Sequence, residues 1–423
     1  MILPPVSSPL DSRIRTGPVP RCRDRCAGRP NRPEDSAGTH ILAPLTGLRP
    51  FGAHRPSSPW SQTAAGQCGG ATMSGPLYVP VLPARPHAVA AVKDLAPGIR
   101  DRTAPLWTLP AMTAEGAGEL QQAMDRKLRR VAAVQKYTPA WLDAQHADLD
   151  ERAYADLLPS YWSHTALRPV TDPDLPAAHQ AVAAASARDG GNGLGIRIRL
   201  PGAWNDELAE RTAALLTRTG PEVRVDLLLD LQTVLPSRPD AGKEALRALD
   251  ALVPLASWRT IATLAGGFPD EVDGLLDRER GEADRADWDM WHEVRASGRS
   301  YAEFVRYGDY GTLPARNLGR AADDSDRSPF GLLRYTTERS FLLARFWAEK
   351  RGETGVTREA ARWITELSDF RGEGASTGDR WYQQCARTTG SKGTGNAGTW
   401  NQVGNVQHMT YVVCCLTGDA DRP

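Results

Sequence analysis

The stretch GIRIRLPGAWNDELAERTAALLTRTGPEVRVDLLLDL, Gly195–Leu231, decides the fold. It opens on strict alternation, with Ile196, Ile198 and Leu200 set against Arg197 and Arg199, the period of a strand with one apolar face. It closes on Val225, Leu227 and Leu229 opposite Asp226, Leu228 and Asp230. Between the two, Leu208, Leu215 and Leu216 recur at helical spacing. Strand, helix and strand at this separation make a βαβ unit, whose two strands run parallel.

The same rhythm extends in both directions. Short apolar runs begin near Leu77 (LYVPVLP), Pro105 (PLWTLP), Ala140 (AWLDA), Pro169 (PVTDP), Gly195, Val223, Arg259 (RTIATLAG) and Phe304 (FVRYGDYG), at steps of 26 to 45 residues. Helical patterns fill the gaps. The clearest is Leu120, Met124, Leu128, Val131 and Val134; others are Val89/Val92/Leu95/Ile99, Leu246/Leu249/Val253 and Trp288/Trp291/Val294. Eight strands alternating with helices predict an α/β fold with a (β/α)8, TIM-barrel-like core over residues 73–333, a length close to the ~250 residues such barrels need. A doubly wound open sheet is the competing arrangement.

Residues 334–423 break the rhythm and predict a C-terminal helical region. Tyr335–Lys350 reads as an amphipathic helix through Phe341, Leu342, Arg345 and Phe346, and Thr357–Leu367 as another. Four of the chain's 12 tryptophans, Trp347, Trp363, Trp381 and Trp400, fall here. Aromatic surface of that size has to be buried, so the region is expected to pack on the barrel near the strand C-termini, with His408 and Arg345 facing the cleft.

The other end of the chain has a different composition. Residues 1–72 hold nine arginines, no lysine and four acids, a net +5 that leaves −5 on the rest of a chain that is neutral overall. They also hold 11 of the 32 prolines and no sustained periodicity, which predicts a disordered basic tail. Met1-Ile2-Leu3 runs directly into Pro4-Pro5, so no secretory signal is expected, and Met73 is expected to be the natural start. Cys22-x3-Cys26 lacks the second pair that a zinc site needs, and a reducing cytoplasm is the expected setting. The balance of 51 basic against 51 acidic residues gives no support to nucleic-acid binding, and no apolar run approaches the length of a membrane span.

The strand faces point to a site. If the apolar faces of the central strands meet outer helices, Arg197 and Arg199 point into the barrel beside Asp226 and Asp230. Charges there must be paired, and at the strand C-termini they would line an active-site mouth. Other strand ends add Asp143 followed by Gln145 and His146, then Asp172 and Asp174, then Asp309 and Tyr310. The expected catalytic set is Asp143, Asp226, Asp230, Asp309 and His408; the expected substrate-binding set is Arg197, Arg199, Tyr310 and Arg345. Arginines suit an anionic substrate, and the carboxylates suit acid–base work or a divalent metal.

Several short motifs together resemble one family. LYVPVLPARPHAVAAVKDLAPGIRDRTAPLWTLP (Leu77–Pro110) looks like the opening of the Beta protein family, named after a bacteriophage protein. Later matches are LLLDL (Leu227–Leu231), GGFPD (Gly266–Asp270), WDMW (Trp288–Trp291), RYGDYGTLP (Arg306–Pro314), RYTTE (Arg334–Glu338), STGD (Ser376–Asp379), Gly398-Thr399-Trp400 and Val406-Gln407-His408. The chain departs from that pattern at Leu106-Trp107-Thr108 and at Gln407. The resemblance implies a role in phage–host conflict, through a protein partner met by the C-terminal region. Read from the residues, the alternative is a hydrolase for a phosphate-containing or other anionic small molecule.

Overall fold

The computed structural model describes residues 76–111, 117–147, 149, 151–157, 165–319, 330–347, 355–389 and 393–419. The basic tail expected over residues 1–72 lies outside them. The first barrel strands are β1 (Val81–Pro83), β2 (Leu106–Thr108), β3 (Ala140–Asp143) and β4 (Leu167–Thr171). They are followed by β5 (Leu194–Arg199), β6 (Val225–Thr233) and β7 (Thr260–Gly266). A small antiparallel pair, β8 (Leu276–Asp277) and β9 (Arg280–Asp284), intervenes before the eighth barrel strand, β10 (Val305–Asp309). All eight barrel strands pair in parallel in the order β1-β2-β3-β4-β5-β6-β7-β10. Tyr78 bridges both Thr103 and Tyr307, and Val79 N–H donates to the Tyr307 carbonyl at 3.0 Å, which joins the last strand to the first.

Each apolar run of the sequence has become a strand of this barrel, and the helical patterns have become its jacket. The helices are α1 (Pro86–Asp94), α2 (Pro97–Arg100), α3 (Ala117–Val134), α4 (Glu151–Leu157), α5 (Ala177–Gly190), α6 (Glu207–Thr219), α7 (Ala241–Leu252) and α8 (Ala286–Arg295). Pro97 splits the single pattern Val89–Ile99 into α1 and α2, because it cannot continue a helix. Ile196, Ile198, Leu227 and Leu229 pack outward with Leu208, Leu215, Leu246 and Leu249 in the large outer core. Leu228, Ala262 and Leu264 turn inward with Val79, Val81, Leu106 and Trp141. The interior is tight: a Cβ at Gly308 would lie 2.4 Å from Leu264 Cδ2 and 2.6 Å from the Val79 carbonyl oxygen.

Among the described residues the C-terminal region contains the helices α9 (Gly355–Glu366), α10 (Thr377–Arg387) and α11 (Ala397–Thr417). It also contains strands where the sequence predicts a helix. Residues 335–347 of the predicted helix Tyr335–Lys350 fall on the hairpin β11 (Phe330–Thr336) and β12 (Ser340–Trp347), and its last three residues lie outside the described ones. Strand β12 pairs with β9 to give the antiparallel order β11-β12-β9-β8. The reason is burial on both faces. Leu342, Ala344 and Phe346 pack toward α9, α10 and α11, while Phe341 and Leu343 pack with Phe268 and Ala283. A doubly buried strand reads as a continuous apolar run, which periodicity does not separate from a helix. The sheet therefore takes strands from both sides of β10 in the chain, and position 333 lies inside β11.

Helix α11 is buried on every side from Val403 to Val413, with the polar Asn405, Gln407 and His408 enclosed among apolar neighbours. Asn396 caps its start by accepting from the Thr399 N–H. Gly418, with φ of 74°, closes its end in a left-handed turn. No helix among the described residues is long and apolar enough to cross a membrane.

Candidate functional site

Among the described residues three polar clusters are buried in or against the barrel, and all the residues expected from the sequence except Arg345 are divided among them.

The first occupies the C-terminal end. Arg197 on β5 is 2% exposed and sits among acids on both sides. Its Nη1 donates to Asp143 Oδ2 at 2.5 Å, and its Nε and Nη2 donate to Asp230 Oδ2 at 2.9 and 2.7 Å. Nη2 also reaches the Tyr310 hydroxyl at 3.1 Å, and that hydroxyl donates to Asp230 Oδ1 at 2.6 Å. Burial alone would raise the Asp143 carboxyl. The Arg197 and Arg199 guanidiniums and the Gln145 N–H outweigh it and hold the group below its ordinary value. Arg199, one pleat further along, donates to Asp172 Oδ2 at 3.2 Å and lies 3.7 Å from Asp143 Oδ2. Its Nη2 is buried without a hydrogen bond. Burial pushes the Asp172 carboxyl up to about 6, against the Asp174 N–H and Arg199.

Above this cluster opens a cavity of about 330 Å³, lined by His146, Arg197, Arg199, Gln232, Tyr310 and Arg316 among others. Burial and the two arginines lower the His146 pKa from its usual 6.5, against the pull of Asp143 and Asp230, so the imidazole is neutral at pH 7. Its ring rests on Gly319, where a Cβ would come within 2.7 Å of Nδ1. Gln232 holds φ of 59° at a bulge in β6, between Asp230 and the edge of the cavity. A left-handed glutamine is strained, and such strain collects at functional positions.

The second cluster closes the opposite end. Asp226 stands at the start of β6, where Arg259 donates to both carboxylate oxygens from Nε and Nη2, at 2.8 and 2.5 Å. Trp141 Nε1 and Arg168 Nη1 also donate to Oδ2, at 2.9 and 3.2 Å. The expectation that Asp226 joins Asp230 at the mouth is thus corrected. The two share a face, but four residues of strand rise separate them, and Asp226 plugs the N-terminal end of the barrel.

The third cluster lies outside the barrel wall. Asp309 follows Gly308, which points in, so its own side chain points out, toward α11. There it accepts from Tyr78 Oη at 2.6 Å and the Gly311 N–H at 2.9 Å, and it meets His408 Nε2 at 2.8 Å. His408 Nδ1 contacts Thr336 Oγ1 at 2.9 Å. Nearby, Tyr307 hydrogen-bonds Asp287, and Arg285 Nη1 donates to the Thr337 carbonyl at 3.0 Å. His408 and Thr336 are fully enclosed, and Asp309 is 1% exposed. The sequence expectation of Asp309 at the mouth and His408 facing a cleft is therefore corrected: the pair fastens α11 to the barrel. Arg345 also stands elsewhere, on β12, hydrogen-bonded to Glu279 and Asp273 and lining a separate groove.

Asp143, Asp230, Arg197, Arg199 and Tyr310 are the expected residues that the fold brings together. His146 and Gln232 complete the lining. His146 was visible as the loop residue after β3, whereas nothing in the sequence marks the left-handed backbone at Gln232. Among the described residues no three His, Cys, Asp or Glu side chains gather as a metal site.

The architecture is that of a parallel (β/α)8 barrel with an arginine- and carboxylate-lined mouth and an appended antiparallel sheet. The family described as Beta protein matches the chain over residues 78–414, and the chain belongs to that family. No curated protein and no solved structure matches it.

Proposed function

We propose that the barrel mouth is the active site of a hydrolase for an anionic small molecule, with a phosphate-containing substrate favoured. The observation that carries this reading is Arg199. Its guanidinium stands on the wall of the cavity, and its Nη2, 3.7 Å from Asp143 Oδ2, makes no hydrogen bond, so a substrate oxygen would take donor capacity that the carboxylates leave unused. Arg197 contributes positive potential but has its donors committed to Asp143, Asp230 and Tyr310. Those carboxylates hold the arginines in place and do not themselves line the cavity. The general base is His146, neutral at pH 7 and on the same wall as Arg199. The strand C-termini of a barrel are where such chemistry is placed.

A role in phage–host conflict is the biological setting we propose for this activity, supported by family membership alone. The free thiols of Cys385, Cys414 and Cys415 support a cytoplasmic setting. The test is a hydrolysis screen of the full chain on phosphate monoesters, phosphodiesters and carboxylate esters. Turnover should rise with pH along a limb below 6.5 and fall at least about a hundredfold in His146→Gln. Activity untouched by both His146→Gln and Arg199→Gln would refute the assignment.

A further inference from the structure

Beyond the Leu313–Gly319 segment, which also borders the mouth, a groove of about 550 Å³ runs between the end of β1, the β11–β12 hairpin and the first turn of α11. Among the described residues its lining includes the basic side chains Arg85, His87, Lys127, Arg334 and Arg345 and one carboxylate, Asp273, which Arg345 already engages together with Glu279. Arg334 has no such partner among the described residues. Its Nη1 donates to Asn401 Oδ1 at 2.7 Å and, at 3.4 Å, to the Leu332 carbonyl. Its guanidinium lies 5.3 Å from the centre of the Phe268 ring, and its Nε is buried without an acceptor. Burial pushes this arginine down to about 10, with only Tyr382 opposing. Half-buried Lys127 is likewise without an ion pair among the described residues, and burial together with Arg85, Arg130 and Arg126 lowers its pKa.

The backbone adds to this field. In the first turn of α11, Thr399 N–H is capped by Asn396 Oδ1 and Trp400 N–H by the Asn396 carbonyl. The N–H groups of Ala397 and Gly398, both on the groove wall, have no acceptor among the described residues. The amino end of this 21-residue helix carries partial positive charge and thus faces the same space as two cations that have no ion pair among the described residues. Like charges gathered around a concave space cost free energy unless an anion fills it, and free N–H groups beside an arginine suit phosphoryl oxygens.

We propose that this groove binds a phosphate-bearing small molecule, its phosphoryl group held by Arg334, Lys127 and the free N–H groups of Ala397 and Gly398. The volume exceeds that of phosphate alone, and Phe330, Leu332, Trp400 and Pro86 supply apolar wall for the rest of a ligand of nucleotide size. The site is separate from the mouth and does not depend on the activity proposed there.

Isothermal titration of the full chain with inorganic phosphate and with AMP, at matched ionic strength in chloride, tests it. Both should bind saturably, AMP more tightly. In the Arg199→Gln chain, whose mouth no longer holds phosphate, groove binding should persist, and Arg334→Gln or Lys127→Gln added to that chain should each weaken it about tenfold or more, the loss expected for one charge-assisted contact. Should Arg334→Gln fail to fold, Lys127→Gln at its half-exposed position carries the measurement. The proposal is overturned if neither probe binds, if binding survives Arg334→Gln and Lys127→Gln intact, or if Arg199→Gln abolishes it.

Discussion

Arg197 spends two N–H groups, Nε and Nη2, on a single oxygen of Asp230. The other oxygen of that carboxylate receives the Tyr310 hydroxyl and, at 2.9 Å, the Gln232 N–H. Asp230 therefore has both oxygens filled from three directions, and Arg197 is held on its far side by Asp143. A group so committed is a foundation. Chemistry at the mouth falls to the side chains with capacity left over, Arg199 and His146.

Removing part of that foundation should be costly. Asp230→Ala leaves Arg197 with Asp143 alone and strips Tyr310 of its acceptor, both side chains being almost fully buried at the floor of the cavity. The expected loss is ~3–5 kcal/mol of unfolding free energy, measured by urea denaturation at pH 7. A loss under ~1 kcal/mol would mean that water or a rearranged Asp143 replaces the carboxylate.

Asp172 should show the opposite sign with pH. Its carboxyl is raised from 3.8 to about 6 in the folded chain, so folding favours the protonated form. The resulting stability is full below 3.8 and is lost as pH rises through about 6. Replacing the carboxyl by an amide of the same shape removes the titration. Stability of Asp172→Asn relative to the wild type should therefore improve by ~2 kcal/mol between pH 4 and pH 7. Denaturation curves of both proteins across that range check it, and a difference independent of pH would contradict the raised carboxyl.

Much of the barrel was legible because strand period and helix period differ and each run was bounded by turns. The alternation in GIRIRL correctly turned Arg197 and Arg199 inward, since Ile196 and Ile198 had only the outer helices to bury against. What periodicity does not carry is depth along a strand. Asp226 and Asp230 share a face and parity, yet one closes the bottom and the other supports the mouth. Nor does it carry the closing strand's exception: Tyr307 and Asp309 face outward because α8 covers the first and α11 the second, and the outer side of that strand is as buried as the inner. The hairpin β11–β12 was hidden for the same reason, with apolar neighbours on both faces.

Gln232 gives a test of strain. Its left-handed backbone lets its N–H turn back to Asp230 while β6 bulges toward the cavity. Glycine adopts this conformation without the Cβ clash, so Gln232→Gly should be neutral or stabilise by up to ~1 kcal/mol in thermal denaturation. If the glutamine also contacts substrate, turnover in the same variant falls while stability does not. A destabilisation of ~1 kcal/mol or more would show that the side chain is anchored and the backbone relaxed around it.

The junction between the barrel and its C-terminal region rests on Asp309 and His408. Burial alone would raise the Asp309 carboxyl. The His408 imidazole and its hydrogen bond, the Tyr78 hydroxyl and the Gly311 N–H outweigh it and hold the group below its usual value of 3.8. A lowered carboxyl contributes stability that is present above that value and disappears as the pH falls through the folded one, so the junction should weaken in acid. Asp309→Ala removes one acceptor shared by Tyr78, Gly311 and His408, each without access to water. The expected cost is about 3 kcal/mol at pH 7. Limited proteolysis should show where that cost is felt. The wild-type chain should yield one protected core from about Leu77 to Leu416, because α11 packs on both β11 and the barrel wall. In Asp309→Ala, cleavage between β12 and α11 should accelerate ahead of cleavage within the barrel. Two fragments of equal persistence from the wild type, separated near residue 335, would show that the histidine and the carboxylate do not fasten the two parts together.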